Sequence, residues 1–175
     1  MNRYVALLRG INVGGNAKVP MADLREIAGS LGWTEISTHL NTGNLFFTTD
    51  ETDEVALGSQ LTNAIADRMN FAPPTLVRTL TELQRAAAFC RKAFPHELDK
   101  QVAIAFLSER PSSPIDDLLQ GEVEEHCGNE RFVALFYPNG QGKSRLDAAR
   151  LERLLGVTVT VRGILTVEAL ISRFE

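Results

Sequence analysis

The stretch Glu35-Ile36-Ser37-Thr38-His39-Leu40-Asn41-Thr42-Gly43-Asn44-Leu45-Phe46-Phe47-Thr48-Thr49 decides the fold. It reads as two extended runs, over 35–40 and 45–49, joined by a short turn at Thr42, Gly43 and Asn44, which is a β-hairpin. Upstream of it, Met21, Leu24, Ile27 and Leu31 recur at three to four residues and align on one face of a helix that Gly32 closes. A strand over 4–9 and a glycine-rich loop precede that helix. Downstream, Asp50 and Thr52 offer caps to a helix whose Leu57, Leu61, Ile65 and Met69 repeat at steps of four. Pro73 and Pro74 then end the excursion before a strand over 75–80. The resulting order is β-α-β-β-α-β.

A connecting helix follows from residue 81 to about 90, with Thr79 and Glu82 in capping-box spacing, and residues 81–100 read as connector and linker. The layout then returns: a strand over 101–107, a short helix over 114–119, a hairpin over 122–126 and 131–137, a helix capped by Ser144 and a strand over 157–161. A last helix spans 166–174. The expectation is an α+β protein of two ferredoxin-like subdomains with antiparallel sheets, over 1–80 and 101–175, the second carrying the C-terminal helix. The same elements also suit one larger mixed sheet.

Composition narrows the function classes. Eighteen Lys and Arg against twenty-two Asp and Glu leave a formal net charge of −4, which argues against a module that grips nucleic-acid phosphates. Apolar runs are too short to span a bilayer and the start lacks an export signal, so the expectation is a cytoplasmic protein with no membrane partner. Cys90 and Cys127 are widely separated, and none of His39, His96 and His126 has the spacing of a local zinc motif; no metal site is expected. Whether a cofactor is used is left open by the residues. Phe46 and Phe47 point to opposite faces of one strand, which leaves one of them for the exposed side. Glu122 and Glu124 fit the wet face of a sheet.

The unusual residues gather in two loops. In this topology Arg9-Gly10-Ile11-Asn12-Val13-Gly14-Gly15-Asn16-Ala17-Lys18 lies beside Thr42-Gly43-Asn44. Paired glycines can turn backbone N–H groups toward one point, and a helix start with Lys and Arg nearby welcomes an anion. A long turn whose glycines solve a steric problem is the competing reading. The second loop, Asn139-Gly140-Gln141-Gly142-Lys143-Ser144-Arg145, resembles the end of a nucleotide P-loop, but the position that needs the first glycine holds Tyr137.

These residues resemble a known family. The run 4–15, then Lys18-Val19-Pro20-Met21, Leu24 and Gly43-Asn44, are similar to the signature of domain-of-unknown-function family 1697, a group of uncharacterised bacterial proteins. The similarity continues through Gly140, Gly142, Arg162, Thr166 and Val167. It implies an α+β protein of ferredoxin-like parts and no assigned activity. Two departures stand out. Lys143-Ser144-Arg145 occupies the place of the family's Arg-Ser-Lys, and Arg162-Gly163-Ile164-Leu165-Thr166-Val167 that of Arg-Asn-Trp-Asn-Thr-Val, which makes this chain more apolar there.

The functional expectation is binding of a small anionic ligand, a nucleotide or phosphometabolite, by the 9–18 loop. Arg9 and Lys18 would supply charge, Gly14 and Gly15 backbone donors, and Asn12 and Asn44 orienting hydrogen bonds, with Gly43 of the turn a further site residue. Lys143, Arg145 and Arg162 form a second tier. An enzyme at the same loop is one alternative, although no acid, base or nucleophile stands out beyond His39 near the hairpin, a residue type suited to proton transfer. A protein or RNA interaction module is the other.

Overall fold

In a computed structural model that describes residues 1–15, 17–122 and 124–174, the chain divides into two compact units, Met1–Leu80 and Thr81–Glu175. Asn16 of the glycine-rich loop and Val123 of the strand expected over 122–126 lie outside the described residues. Among the described residues no helix is long and apolar enough to cross a membrane.

The first unit runs β1 (Asn2–Leu8), α1 (Met21–Ser30), β2 (Thr34–His39), β3 (Asn44–Thr49), α2 (Glu54–Met69) and β4 (Thr75–Thr79). Its sheet has the order β2-β3-β1-β4, every neighbouring pair antiparallel. This is the ferredoxin-like arrangement, and it arises because β1 is the strand that pairs on both sides. Tyr4, Ala6 and Leu8 alternate onto one face, where Leu24 and Ile27 of α1 and Leu57, Leu61 and Ile65 of α2 cover them. Trp33 and Phe47 stack in that core with centroids 3.8 Å apart, and Tyr4 lies 5.7 Å from Phe47.

The opposite face of this sheet is also buried, at Val5, Leu7, Phe46 and Leu76. That corrects the expectation of one exposed phenylalanine: Phe46 and Phe47 are both fully buried. The cap of α2 is corrected too. Neither Asp50 nor Thr52 serves; the Asp53 carboxylate accepts from the Val55 and Ala56 amides at 2.9 and 3.0 Å. A register shift interrupts the β2 pairing between Thr34 and Ser37, where Glu35 adopts φ +50° and its carboxylate accepts from the Thr48 hydroxyl at 2.7 Å.

From α3 (Leu80–Ala93) the chain enters the second unit: β5 (Val102–Leu107), α4 (Ile115–Leu118), β6 (Glu125–Gly128), β7 (Phe132–Phe136), α5 (Ala148–Leu155), β8 (Val159–Gly163) and α6 (Ile164–Phe174). The sheet order β6-β7-β5-β8 repeats that of the first, again antiparallel throughout. Two separate sheets therefore replace the single mixed sheet that the same elements would have allowed. Ala103, Ala105, Leu107, Leu135 and Val159 pack with Ile115, Leu151 and Leu155 on one face. On the other, α3 sets Phe89 edge-on to Phe132 at 5.3 Å, and Phe94, just beyond α3, lies 6.0 Å from Phe136. Arg91 of α3 is held by Glu168 of α6 at 2.8 and 2.9 Å and by Asp99 at 2.5 Å.

Two local expectations fail in this unit. Ser144 does not cap a helix; a 3₁₀ turn over Gln141–Lys143 comes first, and α5 is capped by Asp147, which accepts from the Arg150 amide at 2.8 Å. Glu122 and Glu124 lie before β6 and are engaged: Glu122 pairs with Arg150 at 2.6 Å, and Glu124 accepts from the Ser144 hydroxyl.

Candidate functional site

The loop over 9–20 is shaped by backbone angles that most side chains avoid. Gly10, Gly14 and Gly15 take φ of +71°, +66° and +83°, and Asn12 and Ala17 follow at +56° and +52°. Asn12 is the clamp. Its side-chain amide donates to the Val19 carbonyl at 2.8 Å and to the Asn41 carbonyl at 2.7 Å, while its oxygen accepts from the Val19 amide at 2.8 Å. Its own backbone amide donates to the Ala17 carbonyl at 3.1 Å. One residue thereby closes the loop on itself and fastens it to the β2–β3 turn.

The turn is fastened in its own way. Asn44 is fully buried and donates to the His39 carbonyl at 2.9 Å and to the Thr42 hydroxyl at 3.4 Å. Gly43 has φ +88°, and a Cβ there would stand 2.8 Å from the Leu8 Cβ and 2.9 Å from Ile11 Cδ1. Its carbonyl accepts from the Leu8 amide at 2.8 Å. Gly43 and Asn44 thus shape the hairpin beneath the loop, where the sequence alone had suggested ligand contacts.

Between loop and turn lies a cavity of about 340 Å³, lined by Asn12, Gly15, Lys18, Val19, Pro20, Met21 and Asn41. Lys18 is exposed and is its one formally charged lining residue. Pro20 sits at the start of α1 without a side-chain cap, so the first amides of that helix are bare of an Asx or hydroxyl partner. Three of the expected residues, Asn12, Gly15 and Lys18, are brought together here, and Gly14 is exposed next to them. Arg9 is half-buried where β1 ends, with its amide donating to the Pro74 carbonyl at 2.9 Å.

Lys143, Arg145 and Arg162 belong to the second unit. Arg162 is buried within β8, where its Nη1 donates to the Thr160 hydroxyl at 2.9 Å and the Val161 carbonyl at 3.0 Å. Burial pulls its guanidinium down to about 10, which leaves it charged at neutral pH. Asn41, which the sequence did not single out, contributes a carbonyl and a wall; no residue-type signal marks a backbone acceptor.

The second unit has its own cavity of about 280 Å³ behind β5, lined among others by Arg110, Ser112, Ser113, Asp116, Asn129 and Glu130. Arg110 and Glu130 pair across it at 2.7 Å. The Asn129 side chain is taken up by the turn, accepting from the Arg131 and Phe132 amides at 2.8 and 3.0 Å. Among the described residues no group of three or more His, Cys, Asp or Glu could hold a metal ion.

A family model described as "Protein of unknown function (DUF1697)" matches residues 1–134, which takes in the first unit and the candidate loop. Among solved structures, the conserved bacterial protein SP0830 from Streptococcus pneumoniae aligns with a TM-score of 0.69. The two are 22% identical over 99% of this chain and 98% of the other, a likeness that carries the fold alone. No curated protein matches.

Proposed function

We propose that this chain, which belongs to the DUF1697 family of proteins of unknown function, binds a small anionic ligand, a nucleotide or phosphometabolite, through its 9–18 loop in the cytoplasm. The observation that carries this reading is the cavity beside that loop, whose lining includes a single formal charge, that of Lys18. Its volume of about 340 Å³ suits a small molecule.

In this reading Lys18 supplies the charge, and the positive-φ backbone at Gly14 and Gly15 supplies N–H donors. Asn12 and Asn44 act indirectly. Their amides are committed to the loop and the turn, so they hold the site in shape and leave the ligand to others. A loop already fixed by its own hydrogen bonds loses little conformational freedom on binding, which favours affinity.

Calorimetric titration of inorganic phosphate, nucleoside monophosphates and phosphate esters into the wild type and Lys18→Ala tests this. The expected result is binding that weakens with added salt and falls about tenfold or more in Lys18→Ala, the scale of one charged hydrogen bond. No binding to either protein, or equal binding to both, refutes it.

A further inference from the structure

We infer that the cavity of the second unit takes a small organic cation, a short primary amine whose ammonium group bridges Asp116 and His126. The site is separate from the 9–18 loop, and its ligand is of the opposite charge. Arg110 in the cavity lining is matched by Glu130 at 2.7 Å, which leaves the carboxylate of Asp116 over. A lining with one negative charge in excess disfavours anions and favours a cation.

The surroundings of Asp116 sharpen this. It sits in the first turn of α4, and its Oδ1 lies 3.8 Å from Nε2 of His126 in β6, too far for a hydrogen bond. The other ring nitrogen, Nδ1, stands 3.2 Å from the Glu124 carbonyl. A carbonyl oxygen only accepts, so in the neutral ring the proton belongs on Nδ1 and Nε2 keeps its lone pair. Two acceptors, a carboxylate oxygen and an imidazole nitrogen, thus face each other. An ammonium group, with three N–H donors, satisfies both at once.

Exposure gives the two groups different parts. The Asp116 side chain is 83% exposed and meets a cation arriving from water, whereas that of His126 is 17% exposed and fixes where the nitrogen stops. Ser112 and Ser113, in the same lining, offer hydroxyl oxygens for the third N–H, and the exposed ring of Pro114 gives a short carbon chain a surface to lie on. The volume of about 280 Å³ admits a body of a few carbons. A bare metal ion is the poorer match, because among the described residues no group of three or more His, Cys, Asp or Glu converges.

The probes are butylamine, butanol and butyrate, similar in size and different in charge, titrated into the full chain and followed by nitrogen NMR. The titrations are run at about pH 8, where a free imidazole is neutral and an alkylamine is protonated. Butylamine is expected to shift the amides of Ser112, Ser113 and Asp116 and to move the His126 Nε2 resonance while Nδ1 stays protonated. Its affinity should fall with added salt and about fivefold in Asp116→Asn, the upper end for an ion pair open to water. His126→Phe, which keeps a ring and removes the acceptor, should weaken it as well; if that variant does not fold, the exposed Asp116→Asn carries the test. Butanol or butyrate binding as tightly as butylamine overturns the inference. So does butylamine affinity unchanged in Asp116→Asn, or no butylamine binding at all. An Nε2 already protonated at this pH without ligand overturns it too, because the ring itself is then the donor to Asp116.

Discussion

The two units solve the same backbone problem with different side chains. Leu8 donates to the Gly43 carbonyl at 2.8 Å, and Leu107 to the Arg131 carbonyl at 2.9 Å. The next amides, of Arg9 and Ser108, both donate at 2.9 Å across the other edge, to Pro74 and Thr158. Pro20 before α1 and Pro114 before α4 have nearly identical angles, φ −57° and ψ 137° against φ −54° and ψ 138°. Arg78 faces Val5 as Arg162 faces Ile104, and each arginine donates to the carbonyl of the residue before it, at 2.6 and 3.0 Å. The frame recurs down to single hydrogen bonds.

The difference falls in one place. After β1 the chain spends residues 9–20 on a loop clamped by Asn12 and opens a helix over Met21–Ser30; after β5 it spends 108–114, and the helix shrinks to Ile115–Leu118. In the first unit the corresponding cavity holds a lone lysine, in the second an arginine already matched by Glu130. What the repetition teaches is that the strand frame sets where a cavity forms, and the loop after the first strand sets what it can hold. The candidate site lies where the units diverge.

That contrast can be broken by mutation. Phe47 and Leu135 occupy equivalent positions, opposite Tyr4 and Ala103. Phe47→Ala removes a ring stacked on Trp33 and is expected to cost about 3–5 kcal/mol in urea unfolding; Leu135→Ala, in an aliphatic setting, about 2–4 kcal/mol. A larger loss at Leu135 would contradict the aromatic anchoring of the first core.

The turn glycines come next. Gly43→Ala meets both a strained φ of +88° and a fixed Leu8 Cβ, and should cost about 3 kcal/mol. At Gly128, with no strained φ, the nearest atom, 2.8 Å away, is the Cδ1 end of Ile115 rather than a fixed Cβ, so Gly128→Ala should cost less, about 1–2 kcal/mol. Thermal midpoints of the two variants decide between them; equal shifts would mean that the first turn is no stiffer than the second.

Helix caps should show a smaller gap. Asp53→Ala and Asp147→Ala are each expected to lose about 1 kcal/mol, with Asp53 the greater because it accepts two amides against one. The smallest effect concerns the thiols, both in the second unit. Cys127 is exposed and should react at once with a thiol reagent, whereas Cys90 is buried, its thiol pushed up to about 12. Its labelling should track opening of the native state. Tyr4 and Tyr137 are raised in the same direction, chiefly by burial. Above about pH 9 the native state therefore holds more protons than the unfolded chain, and stability should fall as pH rises, which alkaline urea titrations would register.

Much of this was readable from residue order. The Thr42-Gly43-Asn44 turn and the spacing of Leu57, Leu61 and Ile65 fix a hairpin between helices, and that order permits few topologies. Asp53 was missed because Asp50, Thr52 and Asp53 are equally good caps on paper, and only the chain path selects one. Ser144 was misplaced because Gly140, at φ +83°, starts a 3₁₀ turn that uses up the residues a longer helix would have taken. One of Phe46 and Phe47 was expected on the exposed side because alternation implies a wet face, and both are buried at that strand. Within the site, Lys18 and Gly15 announce themselves by type. Asn12 does not, since whether an amide serves a guest or its own main chain depends on where the loop folds back.

The irregularity at Glu35 has a consequence for how these molecules share a cell. Strand β2 borders the first sheet, and a straight border invites a neighbouring chain to add itself, rung by rung, into a fibre. A left-handed kink at the second residue of that border, its carboxylate bonded to Thr48, breaks the ladder that an intruder would need whole. Straightening it, for instance by deleting Glu35, would be expected to turn a well-behaved edge into a seed for insoluble assemblies.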